Sequence, residues 1–152
     1  EGTATQWAAT IETNVIGLMR VTRVVIDRMV ERNTGHIVNI GSVAGIQAYK
    51  ACAAYAASKH AVHGLSETLR LDYGASGIKI SEVLPGMVET EFAATRFGDE
   101  KRGEEYYRDF GVCLLPEDIA RSVRFVLEQP SDVVIAQIVV VPTRRTPDSS
   151  AA

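Results

Sequence analysis

HIVNIGSVAG, residues 36–45, is the stretch on which the fold of this chain turns. Its first six residues are rich in β-branched side chains and too apolar for a surface edge, which predicts a short buried strand at 36–41. A loop from Gly41 to Lys50 follows, carrying Ser42 and Gly45. It leads into AAYAASKHAVHGLSETLRLDYG, residues 53–74, whose Ala-rich first half favours a helix over 52–74 and lets neighbouring backbones come close. Gly74 and Gly77 bracket the helix end. Ile78–Leu84 alternates in part and predicts a second strand, closed by Pro85-Gly86. A strand, a helix and a strand in this order imply parallel pairing through a right-handed crossover.

The rest of the chain extends the same plan. Upstream, Trp7, Ile11, Val15, Leu18, Val21, Val25 and Met29 recur at intervals of three and four and predict one helix over 5–32. Asn33-Thr34-Gly35 ends it with a residue type suited to positive φ. Downstream, residues 90–110 are charged and aromatic and predict short helices. Pro116-Glu117-Asp118 is a helix start, the helix running to about Glu128 before Gln129-Pro130 stops it. Val133–Val141 reads as the third strand, and the chain from Pro142 onward as a polar tail. Strands alternating with helices predict a doubly wound parallel α/β sheet, in which ligands sit beyond the carboxyl ends of the strands. Ser42 follows the first strand and Pro85-Gly86 the second, so both fall on that rim. Three strands are half a sheet, and the first would present an apolar edge of the kind natural domains cover. Its partners are expected before Glu1. The chain, which begins with Glu rather than Met, reads as the later part of a longer protein.

Composition narrows the class. The 152 residues, 46% of them hydrophobic, suit one domain with a real core. A net charge of −3 without a basic cluster argues against nucleic acid as partner. The apolar runs are strand-sized, so no membrane span is expected. No leader opens the chain, and a cytoplasmic location is the expectation. Cys52 and Cys113 have no metal-ligand spacing and read as free thiols; His36, His60 and His63 form no zinc pattern with them, so no metal is expected.

Tyr55 and Lys59 stand four residues apart, a little over one helical turn, with Ser42 thirteen residues upstream. A cation held beside a phenol favours the phenolate and lowers a pKa that starts near ~10, which makes a tyrosine a usable acid and base. A hydroxyl brought from a strand end would complete a site for polarising a carbonyl. Each residue alone has a plainer reading. Tyr55 with Lys59 fits a half-buried ring and a solvated charge, Ser42 a loop hydroxyl, Asn14 a helix-interior polar residue, and Pro85-Gly86 a turn. Tyr49-Lys50 is a decoy on a loop, and Tyr73, Tyr106 and Tyr107 lack a lysine one turn on and read as packing or loop residues. His60 and His63 read as solvated or packing residues. Arg96, Lys101 and Arg102 lie in the segment expected to cover a substrate, either as solvated cations or paired with a substrate carboxylate.

Taken together, Asn14 in TNVIG, Ser42 in NIGSVAG, Tyr55-x-x-x-Lys59 and Pro85-Gly86-Met87-Val88-Glu89-Thr90 resemble the short-chain dehydrogenase/reductase family. The resemblance covers residues 1–142, the family's C-terminal three-fifths. It implies the later part of a Rossmann-like sheet, with 1–142 the catalytic part of a single NAD(P)-binding domain and 143–152 a polar tail. It implies that Tyr55 is the general acid/base, that Lys59 lowers its pKa and bonds the nicotinamide ribose, and that Ser42 orients the carbonyl. Asn14 would hold a water linking Lys59 to solvent. Pro85, Gly86, Val88 and Thr90 would border the nicotinamide, Gly86 allowing close approach. The stretches ETEF, RFGDE, LLPEDIARSVRFVL and VVVPT further resemble the branch acting on 3-hydroxy acids and serine, with clavulanate dehydrogenase a related possibility.

The function implied is NAD(P)-dependent interconversion of a secondary alcohol and a ketone, with a small-molecule substrate. NADP(H) or NAD(H) is the implied cofactor, NADP favoured by the resemblance. The glycine-rich TGxxxGxG turn and the Asn-Asn-Ala-Gly segment of the family are absent from this sequence, so weak cofactor binding by the isolated chain is expected. Helices 5–32 and 52–74 carry small residues (Ala8, Ala53, Ala54, Ala57, Ala61, Gly64), and in relatives this pair makes a four-helix contact, implying a homodimer or homotetramer. Two other classes compete: a non-catalytic nucleotide-sensing or interaction module, and an isomerase or epimerase on an extended relative of the fold.

Overall fold

In the computed structural model, which describes residues 2–143, a three-stranded sheet carries the helices. Strands β1 (Gly35–Ile40), β2 (Ile78–Pro85) and β3 (Gln137–Val140) lie side by side in that order, all parallel. Helix α3 (Ala53–Tyr73) links β1 to β2, and α6 (Pro116–Leu127) lies between β2 and β3. This is the α/β, Rossmann-like arrangement the strand and helix order predicts.

The first helix is continuous but not uniform. Helices α1 (Ala4–Ile11) and α2 (Leu18–Glu31) are joined by a π-helical turn, Glu12–Gly17. Such a turn takes up one more residue than an α turn. Beyond it the buried face is therefore displaced by one position from the predicted stripe. Thr22 and Ile26 are buried, whereas Val21 is 62% exposed. Ile26 joins Leu69, Ile78 and Ile80 in a core packed by Met29, Val30, Ile37, Leu65 and Tyr73. Asn33 does hold a positive φ, 50°, and Gly77 another, 69°, at the two helix-to-strand turns.

Helix α3 buries Ser58, Val62, Ser66 and Leu69, spaced by three and four, against the sheet. Its serines satisfy themselves on the helix: Ser58 donates to the Tyr55 carbonyl at 2.7 Å and Ser66 to that of Val62 at 2.8 Å. Ser66 also accepts from Asn39 of β1 at 2.9 Å, so the small polar face costs no unpaired hydroxyl.

β3 is shorter than the predicted Val133–Val141. Val133 closes a turn by donating its N–H to the Pro130 carbonyl, and only Gln137–Val140 find partners, on Glu82–Pro85 of β2. Val133 and Val134 are 40% exposed, so their β-branched character is spent in a loop. Segment 90–110 forms α4 (Phe92–Phe97) and α5 (Glu100–Phe110), packed on each other beside the sheet's carboxyl rim. Gly103 permits this contact, since a Cβ there would fall 2.7 Å from the Ala94 nitrogen. Of the expected tail at 143–152, all but Thr143 lies outside the described residues.

Candidate active site

Ser42 ends β1 in extended backbone and caps the short turn Val43–Gly45, its Oγ accepting from the Ala44 N–H at 3.1 Å. That turn rests on α3: a Cβ on Gly45 would stand 2.7 Å from the Lys59 carbonyl oxygen. The turn thus presses Ser42 toward the first two turns of α3, where Tyr55 and Lys59 lie. Between them and the end of β2 opens a cavity of about 480 Å³, lined by Ser42, Tyr55, Lys59, Pro85, Gly86, Val88 and Thr90. It sits at the carboxyl rim of the sheet, where the topology predicts a ligand.

Asn14 stands outside the cavity wall. Its Nδ2 donates to Ser58 Oγ at 3.1 Å, and Ser58 in turn holds the Tyr55 carbonyl. In this structure Asn14 braces α3 from behind, and it does so from within the π turn. Gly86 has a packing reason of its own, since a Cβ there would come 3.2 Å from Val141 Cγ1 and crowd the end of β3. Met87 and Glu89 make the backbone bonds of a bridge to Leu114, leaving the N–H and C=O of Val88 itself directed away from it. Thr90 Oγ1 accepts from the Phe92 N–H at 3.2 Å.

The electrostatics differ from the sequence expectation in one respect. Burial pushes the Tyr55 phenol above its ordinary value, and the opposing pull of the Ser42 hydroxyl only moderates this. Lys59 spends its hydrogen bond elsewhere. Its Nζ is 5.8 Å from the Tyr55 ring centroid and donates instead to the Ile40 carbonyl at 2.9 Å. Burial holds the Lys59 ammonium below its usual range, while the Glu82 carboxylate pulls it back up.

Several wall residues had no clear signature in the sequence. The Phe92 ring lies 5.2 Å from that of Tyr55, tilted by 54°. Arg96 reaches from α4 to the loop before α3, donating to the Ala51 carbonyl at 2.8 Å, and its charge acts on Tyr55. Tyr106, read as packing or loop, lines the cavity, and so do Tyr49 and Lys50, read as a loop decoy. His63, read as a solvated or packing residue, is instead hydrogen-bonded to buried Glu82 at 2.8 Å. One signal for Glu82 was available, because it falls in phase with the core residues Ile78 and Ile80 of a central strand. Cys52 and Cys113 are free thiols. Among the described residues no group of three or more His, Cys, Asp or Glu side chains could hold a metal, and no helix is long and apolar enough to cross a membrane.

The chain is similar to known proteins over most of its length. The chain is 39% identical over 136 residues to an NADP-dependent 3-hydroxy acid dehydrogenase of Schizosaccharomyces pombe, covering 89% of this chain and 52% of that protein. It is 39% identical over 142 residues to the enzyme of the same description from Escherichia coli, covering 92% and 57%. Among solved structures, the closed form of a serine dehydrogenase complexed with NADP+ superposes with a TM-score of 0.88 at 38% identity, over 92% of this chain and 57% of that one. The chain spans about half the length of the curated relatives it matches. A family model described as short chain dehydrogenase matches residues 1–101. On that match, the chain belongs to the short-chain dehydrogenase family.

Proposed function

We propose that this chain is the C-terminal catalytic part of a longer NAD(P)-dependent oxidoreductase that interconverts a secondary alcohol of the 3-hydroxy acid class and its ketone. The observation that carries this reading is the convergence of Ser42, Tyr55 and Lys59, from two separate elements, on one cavity at the carboxyl rim of a parallel sheet. The relatives described as NADP-dependent favour NADP(H) over NAD(H).

The wall fits a nicotinamide cofactor in its donor set. Lys59 is a cation suited to ribose hydroxyls, and Pro85, Gly86 and Val88 offer an apolar surface with a free backbone edge. When bound, the cofactor supplies or takes up the hydride. The chain's own residues would do the rest. In reduction Tyr55 gives its phenolic proton to the substrate oxygen, and in oxidation it takes that proton back. Ser42 donates to the same oxygen and orients the carbonyl. Lys59, drawn toward the ribose, brings its charge to bear on the phenolate. A cation on the wall suits an acid substrate, and of Arg96, Lys101 and Arg102 in the covering segment it is Arg96 that lines the cavity, whereas Arg102 stacks on Phe97 at 4.6 Å. Ala53, Ala57, Ala61 and Gly64 form an exposed stripe of small residues on α3, consistent with a second subunit packing there.

The decisive experiment compares the full-length protein with Tyr55→Phe, using NADPH and a panel of 3-oxo acids and neutral ketones. Turnover of the variant, folded by circular dichroism, is expected to fall at least about a hundredfold. Unchanged turnover would remove Tyr55 from the mechanism and the reading with it.

A further inference from the structure

Glu82 is the anomaly of the sheet. It occupies the middle of β2, its side chain is fully buried, and Asn39 and Gln137 are its register partners on either side. A carboxylate in such a place is costly unless it is paired and hydrogen-bonded. Only half of it is. Oε2 accepts from His63 Nδ1 at 2.8 Å, while Oε1 is buried without a hydrogen-bond partner.

The direction of that unpaired oxygen is informative. A Cβ added to Gly41, the residue just before Ser42, would collide with Oε1. The carboxylate therefore reaches up under the backbone that delivers Ser42 to the cavity. On the helix opposite, Tyr55, Lys59, His63 and Glu67 follow one another at four-residue intervals and form a single column. His63 sits between the buried acid and a solvent-facing one, its Nε2 being 3.8 Å from Glu67 Oε1. Directly above it in the column is Lys59, whose ammonium feels the charge of Glu82. Arg70, charged and packed on this part of β2, is committed to the Ile80 and Ala136 carbonyls at 3.1 and 3.0 Å.

We propose that Glu82, clamped by His63, is a positioning residue of the site: its buried carboxylate supplies the negative charge that balances the Lys59 ammonium at the cavity floor. Lys59 is buried and bonded to a neutral carbonyl, so without that balance its charged form loses its main electrostatic support. His63 fixes which way the carboxylate points and links it through Glu67 to solvent. Burial of a lone acid, which would otherwise weaken the strand, is thus explained by what it does for the neighbouring cation.

The inference rests on the dehydrogenase reading for its effect on turnover, but it has a readout that does not. In the full-length protein labelled with 13C at lysine Cε, the Lys59 resonance, assigned by Lys59→Arg, is titrated in wild type, Glu82→Gln and Glu82→Asp. Glu82→Gln is expected to move the Lys59 midpoint to lower pH, and Glu82→Asp, which keeps the charge, to restore much of it. In turnover of a ketone, Glu82→Gln should bring the alkaline limb to lower pH, with a loss of about threefold or more at the pH where wild type is half-maximal. His63→Gln should shift the limb in the same direction by less. An unchanged Lys59 titration in folded Glu82→Gln overturns the proposal, whatever the turnover. A shifted titration in a protein whose Tyr55→Phe variant keeps full activity would sink the dehydrogenase reading and leave this one standing. Should Glu82→Gln fail to fold, an unshifted Lys59 midpoint in folded His63→Gln overturns it as well.

Discussion

The Lys59 ammonium reaches past the Tyr55 ring, 5.8 Å from its centroid, and hands its hydrogen bond to the Ile40 carbonyl at the end of β1. Phenol and amine share a cavity without yet acting as a pair. The Tyr55 phenol is raised chiefly by burial, and Ser42, with a smaller contribution from the Arg96 charge, draws it back down. Ser42→Ala is expected to raise the Tyr55 titration further, whereas Lys59→Met leaves it nearly where it is in the absence of cofactor. Ultraviolet titration of the phenolates, with Tyr55→Phe as the reference, reads both. A marked rise in Lys59→Met would mean that the two groups are already coupled.

Arg96 lines the cavity, and its guanidinium acts on the Tyr55 phenol. If it receives a substrate carboxylate, its loss should weaken binding more than chemistry. Arg96→Gln is expected to raise KM for a 3-oxo acid about tenfold or more, with kcat changed far less, because a charge-assisted bond is lost in ground and transition states alike. Neutral ketones should be indifferent to the change. Equal effects on acids and neutral ketones would return Arg96 to the role of a loop cation.

Two glycines of α3 and its neighbouring turn should respond oppositely to one methyl group. A Cβ on Gly45 would press on the Lys59 backbone, which cannot step aside without moving the helix. Gly45→Ala is expected to cost about 1–3 kcal/mol in urea unfolding. Gly64 lies within the helix with nothing within 4 Å of its added Cβ. Gly64→Ala should stabilise by roughly 0.5–1 kcal/mol. The reverse order would contradict the packing of the 43–45 turn on α3.

His36 pairs with Ser81 Oγ through its Nε2 at 2.8 Å, and burial, aided by Lys79 across the strands, holds its pKa below 6.5. The unfolded chain therefore binds the proton more readily than the folded one. The stability this contributes is complete above the unfolded pKa and is lost as pH falls through the folded one. The thermal midpoint is expected to decline on going from neutral toward acid pH, and His36→Asn should flatten part of that slope. An identical slope in the variant would assign the decline to other groups.

The sequence displayed the order of elements because each carries a local signature: the β-branched run at 36–40, the Ala-rich turns after Cys52, the Pro116 helix start. It also displayed the rim location of Ser42 and Pro85-Gly86, since that follows from strand direction alone, and the four-residue spacing of Tyr55 and Lys59 on one helix. It did not display the π turn, because Thr13-Asn14-Val15-Ile16 has no pattern that distinguishes an α turn from one that holds an extra residue. It placed the start of β3 too early, because Val133 and Val134 have strand character without a partner strand. The wall formed by Phe92, Arg96 and Tyr106 was hidden for another reason. Those residues meet Tyr55 only through the fold of α4 and α5 on each other, which no spacing records.

The extra residue held in Glu12–Gly17 works as a clutch between the two halves of the first helix. Deleting one position inside it would let the segment relax to an ordinary α turn and leave everything downstream in its present phase, whereas losing the π turn with no residue removed would swing it by about 100°. In the second case Val21 and Val25 would turn inward in place of Thr22 and Ile26, and the core under β1 would be rebuilt. Asn14 lies inside the segment that would change geometry, so even the phase-preserving gap of a single codon would disturb its grip on Ser58 at the back of the Tyr55 helix while leaving every cavity-lining side chain unmutated.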